Sequence, residues 1–356
     1  MSKGCRRVAA VIVVLVAVLA TSVAAPAWAC GCGAYIPDRG GASVVDERAL
    51  IAWDGAREDI LMALRVTGSS DSAAWVMPVP STTRVSLGAA EAFTELERLT
   101  APRIEFRDSW WPTFSWLGTD EASEGALGAA PPGGVNVLDR RRIGPFDVTR
   151  LAADDPDAAA KWLADNDFPN PDGLDANLAH YISDGWQIVA VKLVPASKGE
   201  PLTGDLQPLR LSFAAEQMVY PMRLSRSATT PQTVDLFVLA DHRMDPTSVP
   251  VAAETPTLEF AGRIDRTEVS PALADFAGDG AFLTRWSNHL VDPAAIEGDY
   301  TFGPAAEDTS YQRVVYRDRN RGDVTGLAML GILAFVTVIL LTTRRFRSVT
   351  HCTART

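Results

Sequence analysis

The sequence predicts a mixed α+β fold, largely antiparallel sheet with a few packed helices, followed by one C-terminal transmembrane helix. Three observations carry this. Short runs whose apolar residues recur with a period of two appear along the chain, the pattern of half-buried strands. These runs and the helical stretches come in blocks rather than in strict alternation, which favours antiparallel neighbours over a doubly wound parallel sheet. Residues 324–341, VTGLAMLGILAFVTVILL, hold no charge. At ~1.5 Å per residue such a helix reaches across most of a ~30 Å hydrocarbon layer.

Taken in order, the chain begins with Lys3, Arg6 and Arg7 ahead of an apolar run over residues 8–25. Small residues follow, and Ala27-Trp28-Ala29 fits a signal-peptidase site, so residues 1–29 read as a secretory signal with Cys30 first in the mature chain. Ala25-Pro26-Ala27 is a second acceptable site, and an uncleaved anchor fits less well because small residues end the run. Trp28, where a lipoprotein signal wants a small residue, argues against lipidation of Cys30.

The exported α+β domain is then expected over 30–312. Strands are expected at 47–53, at 60–66, where Ile60, Met62, Leu64 and Val66 alternate with their neighbours, and at 73–77, closed by Pro78 and Pro80. A helix over 87–99 puts Ala92, Phe93, Leu96 and Leu99 on one face. From about 107 to 134 a mobile loop is expected, ending in Pro131-Pro132-Gly133-Gly134. Short strands follow at 135–138 and 146–151. Asp155 and Pro156 suit the start of a helix running to about 166, and a second helix covers 173–183. Residues 186–194 form an apolar strand. Further strands are read from Leu209/Leu211/Phe213, Tyr220/Met222/Leu224, Val234/Leu236/Val238 and Leu258/Phe260/Ile264. A last helix is expected over 280–290 and a strand near 312–316. Residues 313–323 are juxtamembrane, 324–343 the transmembrane helix, and 344–356 a cytoplasmic tail.

Local charge does not orient that helix: Arg313, Arg317, Arg319 and Arg321 precede it, and Arg344, Arg345, Arg347 and Arg355 follow it. The signal peptide decides, placing the domain outside and the tail in the cytoplasm. No LPxTG-like sorting signal precedes the helix. The partner expected first is therefore membrane lipid, through the C-terminal helix. Between the two apolar segments lie 26 of the 33 basic residues and all 44 acidic ones, so the exported part carries −18 against −11 for the whole chain. Such a surface disfavours nucleic acid as a partner and leaves an envelope protein or a glycan open.

Chemistry is sparse. Cys5 leaves with the signal and Cys352 lies in the tail, so Cys30 and Cys32 are the exported domain's only thiols. They could form a disulfide, remain free, or hold a soft metal. A structural zinc site needs four ligands, which this pair does not supply. Three histidines, His180, His242 and His289, stand far apart, without a metalloprotease or nucleophile-elbow motif. Asp165, Asp167 and Asp172 faintly match a calcium loop, but Pro169 and Pro171 break the pattern, and a solvated face explains them better. No glycine loop for phosphates occurs, and no cofactor is expected. Trp110, Trp111, Phe114 and Trp116 crowd together. They either pack on the core, the default reading, stack on a glycan or peptide, or enter a membrane interface.

Several of these segments together resemble a bacterial family, domain of unknown function 2330. They are Cys30-Gly31-Cys32 after a signal, the strand ending Ala74-Trp75-Val76-Met77-Pro78-Val79-Pro80, the Trp162-Leu163 helix before a Pro-rich turn, and Pro208-Leu209-Arg210-Leu211 followed by Tyr220-Pro221-Met222-Arg223-Leu224. The resemblance covers most of the exported part and implies an envelope location, with no activity and no catalytic residue to carry over. The expected function is a membrane-anchored, extracytoplasmic binding or scaffolding domain without catalysis. The alternatives are an extracytoplasmic hydrolase using carboxylates, and a thiol- or metal-handling protein centred on Cys30 and Cys32.

Overall fold

The computed structural model describes residues 33–112, 142–143, 146–151, 157–195, 197, 199–228, 230–278 and 280–352. The chain divides into two compact units. The first takes residues up to Ala101 and Val135–Gln312, the second Pro102–Gly134 and Arg313–Thr356.

The first unit is built on two large sheets. One has five strands, in the order β1 (Ala34–Pro37), β4 (Ala73–Val79), β9 (Gln187–Leu193), β8 (Phe146–Leu151) and β7 (Arg142–Ile143). The other has nine, in the order β18 (Tyr311–Gln312), β15 (Thr257–Arg263), β16 (Phe282–Leu290), β13 (Gln232–Ala240), β2 (Ser43–Trp53), β3 (Arg57–Ser70), β11 (Leu209–Ala214) and β5 (Arg84–Leu87), with β10 (Leu202–Asp205) also on β3. Pairing is antiparallel throughout both sheets except between β13 and β2. A small sheet of β12 (Met218–Tyr220), β17 (Tyr300–Pro304) and β14 (Met244–Ser248) completes the unit.

The layers follow from which face each residue takes. Trp75, Met77, Val189 and Val191 pack with Ala49, Ile51, Ile60 and Met62 between the two sheets. Their neighbours in sequence, Ala74, Val76, Ile188 and Ala190, face away and pack on α2 (Ala158–Asp165) and α3 (Leu174–Ser183). On the far side of the nine-stranded sheet Leu50, Leu61, Phe237 and Leu283 are covered by α1 (Glu91–Leu99) and α4 (Pro271–Ala274). Each sheet thus has sheet on one side and helix on the other. That is why β4 reads AAWVMPV with every residue buried. The same cause makes the alternation at 60–66 one of two apolar faces, with Leu61 and Ala63 buried as fully as Ile60 and Met62.

The fold class is as expected, and five elements differ from their sequence reading. Residues 282–290 form strand β16, not helix, and pair with both β13 and β15. Spacing at Phe282, Trp286 and Leu290 mimics a helix, but pairing on both edges overrides so short a local signal. After β12 the chain turns into a 3₁₀ helix at Arg223–Ser227 instead of continuing as strand through Leu224. Pro221 cannot donate to a ladder, and a carboxylate takes the N–H groups of Met222 and Arg223. Pro78 lies inside β4 rather than ending it. It is tolerated because β1 pairs only as far as Val76, leaving that edge of the strand open. Residues 107–109, expected as loop, are strand. The strand read through Ile264 ends at Arg263 and is bulged between Leu258 and Phe260. The strand expected at 135–138, the loop from 113 to 134, the cap at Asp155 and residues 1–32 lie outside the described residues.

The second unit is a two-stranded parallel ribbon and a helix. β6 (Arg103–Ser109) pairs with β19 (Val314–Asn320) in parallel register from Arg103↔Val314 to Ser109↔Asn320. The Asn320 side chain accepts from the Gly322 N–H at 2.8 Å and so starts α5 (Gly322–Cys352). Within it Gly322–Arg344 is long and apolar enough to cross a membrane, and almost none of it is buried.

Candidate functional site

A cleft of the first unit opens where β2 turns into β3 and is about 260 Å³ in volume. Asp54 shapes its rim, its Oδ1 accepting from the N–H groups of Ala56 at 3.0 Å and Arg57 at 2.7 Å. Asp59 is held by Arg210 at 3.0 Å, and that guanidinium lies 4.2 Å from the centre of the Phe276 ring. Arg57 donates to Ser212 at 2.9 Å. Asp241, Arg266 and Asp275 also line the cleft, and their side chains are free of protein partners among the described residues. With Trp53 and Phe276 in the wall, the cleft offers rings beside both hydrogen-bonding charges. These residues are scattered between positions 52 and 281 and form no local motif, so no sequence signal marked them.

Two further polar centres lie deeper. Asp299 stands just before β17 and gathers three donors on one oxygen: the Tyr181 hydroxyl at 2.5 Å, the Met222 N–H at 2.6 Å and the Arg223 N–H at 3.3 Å. Its other oxygen faces Arg223 Nε at 3.3 Å. Burial, together with the Asp299 charge, pushes the Tyr181 hydroxyl far above its ordinary pKa, so it serves as a donor and not as a base. On β3, Glu58 is fully buried and accepts from the Val219 N–H at 3.1 Å, with its second oxygen unpartnered among the described residues.

Burial pushes the Glu58 carboxyl well above the usual carboxylate range, with the Asp59 charge adding to it. A carboxyl raised by folding favours the folded state only while it is protonated. Its contribution is complete below the unfolded value and is lost as pH rises through the higher folded value. Glu58→Gln, fixed in the neutral form, is therefore expected to be more stable than wild type at pH 8, with the advantage shrinking toward pH 4. Paired urea titrations of the two proteins across that range check this, and parallel pH profiles would refute it.

The residues singled out by sequence fall as follows. Cys30, Cys32, Phe114 and Trp116 lie outside the described residues. Trp110 and Trp111 are 52% and 81% exposed, so these two rings do not pack in a core. Asp165 pairs with Lys161 at 2.8 Å in α2, Asp167 takes a left-handed turn at φ 63°, and Asp172 precedes α3. All three are exposed, and among the described residues no His, Cys, Asp and Glu side chains group as a metal site. The histidines stand apart: His180 near Asp184, His242 on Asp308 and His289 on Thr233.

In the second unit charge and rings interleave. Arg107 lies 3.6 Å over the Tyr316 ring, Arg319 lies 4.6 Å over Phe106, and Arg321 lies 5.6 Å over Trp110. Asp108 sits 3.2 Å from Arg321 Nε.

Fold and sites together define a β-rich α+β domain, a ribbon and, among the described residues, one helix long and apolar enough to cross a membrane. The chain belongs to the family described as uncharacterized protein conserved in bacteria, domain of unknown function 2330, whose pattern matches residues 26–303. No curated protein matches it. Among solved structures, that of baculovirus P35 aligns over 74% of this chain and 97% of its own, at 7% identity and a TM-score of 0.33, a likeness too slight to bear on fold or function.

Proposed function

We propose that this chain is a membrane-anchored extracytoplasmic protein whose domain acts by binding or scaffolding rather than by catalysis. In this reading residues 1–29 are a signal peptide, 30–312 the exported domain, 313–323 the juxtamembrane segment, 324–343 the membrane helix and 344–356 a cytoplasmic tail. One observation carries it: the ribbon runs without a break into a helix of 23 apolar-rich residues whose surface is bare. Bare apolar surface of that extent in water is unfavourable, and a bilayer covers it. An acidic exterior fits an envelope protein or a neutral glycan better than nucleic acid or anionic lipid.

The test is fractionation of producing cells. The full chain is expected to stay with membranes through alkaline carbonate washing, and a chain ending at Arg321 is expected in the medium or periplasm. Protease added to intact spheroplasts is expected to digest the domain. Recovery of the full chain in the soluble fraction overturns the reading.

The cleft supports a second reading, an extracytoplasmic carboxylate hydrolase. Asp54 and Asp59 are committed to the turn and to Arg210, which leaves Asp241 and Asp275 as the carboxylates open to a substrate. Turnover of any glycan or ester that the Asp241→Asn/Asp275→Asn variant abolishes, while its binding persists, would favour catalysis.

A further inference from the structure

The ribbon poses a physical problem. A two-stranded pair alone is marginal in water, and parallel pairing adds nothing to its stability. Yet Ile104, Phe106, Trp110, Trp111 and Tyr316 are all large, apolar and exposed. Phe106 and Tyr316 are at least roofed by Arg319 and Arg107. Trp111 is the most exposed ring of the set at 81%.

Position along the helix says what covers it. The Thr325 hydroxyl, in the first turn of α5, donates to the Trp110 carbonyl at 2.7 Å. The Arg321 N–H donates to the Ser109 carbonyl at 2.8 Å. These two bonds set the backbone at 110 level with the start of the apolar run. The span Gly322–Arg344 holds 23 residues, ~34 Å at ~1.5 Å each, against a hydrocarbon layer of ~30 Å. Centring one on the other puts Thr325 at the hydrocarbon boundary and Arg321 in the headgroup layer. Phe106 and Ile104 lie four and six residues back along the strand, ~13 and ~20 Å of chain at ~3.3 Å per residue, so Trp110 and Trp111 are the rings held next to that boundary.

Charge agrees with position. Residues 102–112 and 313–323 hold six arginines and four acidic residues, a net of +2 in an exported part that is otherwise strongly acidic. Indole rings prefer the interface because the body is apolar and the N–H is polar, and guanidinium groups beside them suit phosphate oxygens.

We infer that Trp110 and Trp111, with Arg321, form a second membrane contact, seated in the phospholipid headgroup and ester layer of the outer leaflet. This contact fixes the ribbon at the bilayer surface, and with it the height of the strands' exit. It rests on the proposed membrane span and deepens it.

Tryptophan fluorescence of the full chain in phosphatidylcholine vesicles tests it, using lipids brominated shallow or deep on the acyl chain. Residues 322–352 contain no tryptophan, so the helix itself is silent. Wild type is expected to show a component quenched by the shallow probe more than by the deep one. That component is expected to be lost in Trp110→Phe/Trp111→Phe, while the variant still floats with the vesicles and keeps its far-ultraviolet circular dichroism. Trp111→Cys carrying an environment-sensitive dye gives the same readout without removing Trp110. If wild type floats and its quenching equals that of the double variant, the inference fails and the span stands. If dye at 111 reports a dry site in detergent and the unlabelled Trp111→Cys chains cross-link through that cysteine, the rings cover a second copy instead, which also overturns it. If wild type does not float, both readings fail.

Discussion

Asp299→Ala is expected to lower the stability of the first unit by about 3 kcal/mol, the range for removing a charged acceptor from several buried donors. Asp299 is the meeting point of three segments distant in sequence. Tyr181 arrives from α3, Met222 and Arg223 from the 3₁₀ turn after β12, and Asp299 itself from the approach to β17. Truncation leaves the Tyr181 hydroxyl and the Met222 N–H without their acceptor in a site closed to water on most sides, and leaves the Arg223 N–H only the Tyr181 oxygen at 3.2 Å. Arg223 is partly exposed and can turn to solvent, so its ion pair contributes the smaller share. Asp299→Asn keeps one acceptor oxygen for Tyr181, Met222 and the Arg223 N–H but removes the charge and turns the atom facing Arg223 Nε from acceptor to donor, so its loss is expected to be about half as large. Tyr181→Phe removes one donor to Asp299 and an oxygen that accepts from the Arg223 N–H, which keeps Asp299, and should cost about 1 kcal/mol. Urea unfolding of the full chain in detergent, followed by tryptophan emission, ranks the three. Equal losses for alanine and asparagine would show that charge, not hydrogen-bond acceptance, is what the site needs.

Trp75→Ala is expected to cost about 3–5 kcal/mol, the usual range for emptying an aromatic site in a core. Trp75 is wholly buried on β4, between Tyr35 of β1 and Val191 of β9 in register, and faces the core between the two sheets. The free space beside it, walled by Met62, Leu64 and Phe146, is about 10 Å³, so neighbours are already close and the hole left by alanine stays a hole. Among the described residues its indole N–H has no acceptor. Trp75→Phe therefore removes an unpaired buried donor as well as volume, two effects of opposite sign, and is expected to cost less than about 1.5 kcal/mol. Thermal unfolding of the two variants beside wild type checks the contrast. A phenylalanine variant as damaged as the alanine one would mean that the indole N–H is bonded after all.

Much of the sheet was readable because strand periodicity and burial are local facts. β2, β3, β9, β11 and β13 fall where alternation or an apolar run puts them. α1 and α3 fall where an apolar face does, and α2 lies within the stretch read as helix up to about 166. The misreadings share a cause. In β16, in the turn after Tyr220 and at Pro78, a neighbour distant in sequence supplies or withholds hydrogen bonds, and ten residues of local pattern contain no record of it. The sites were less legible still. Asp299, Glu58, Asp241 and Asp275 are ordinary acids in sequence, distinguished only by what folding places beside them. The aromatic cluster was visible as a cluster, but its surroundings were not.

Sequence alone determined the fold class, the family and the apolar helix, because composition, alternation and an uncharged run of this length are properties of contiguous residues. Tertiary structure decided the rest: that two sheets bury both faces of β4, that one carboxylate holds three segments, and that Trp110 and Trp111 lie exposed at the head of that helix. Those depend on pairings and hydrogen bonds between residues far apart in the chain, whose energies exist only once the chain has closed on itself.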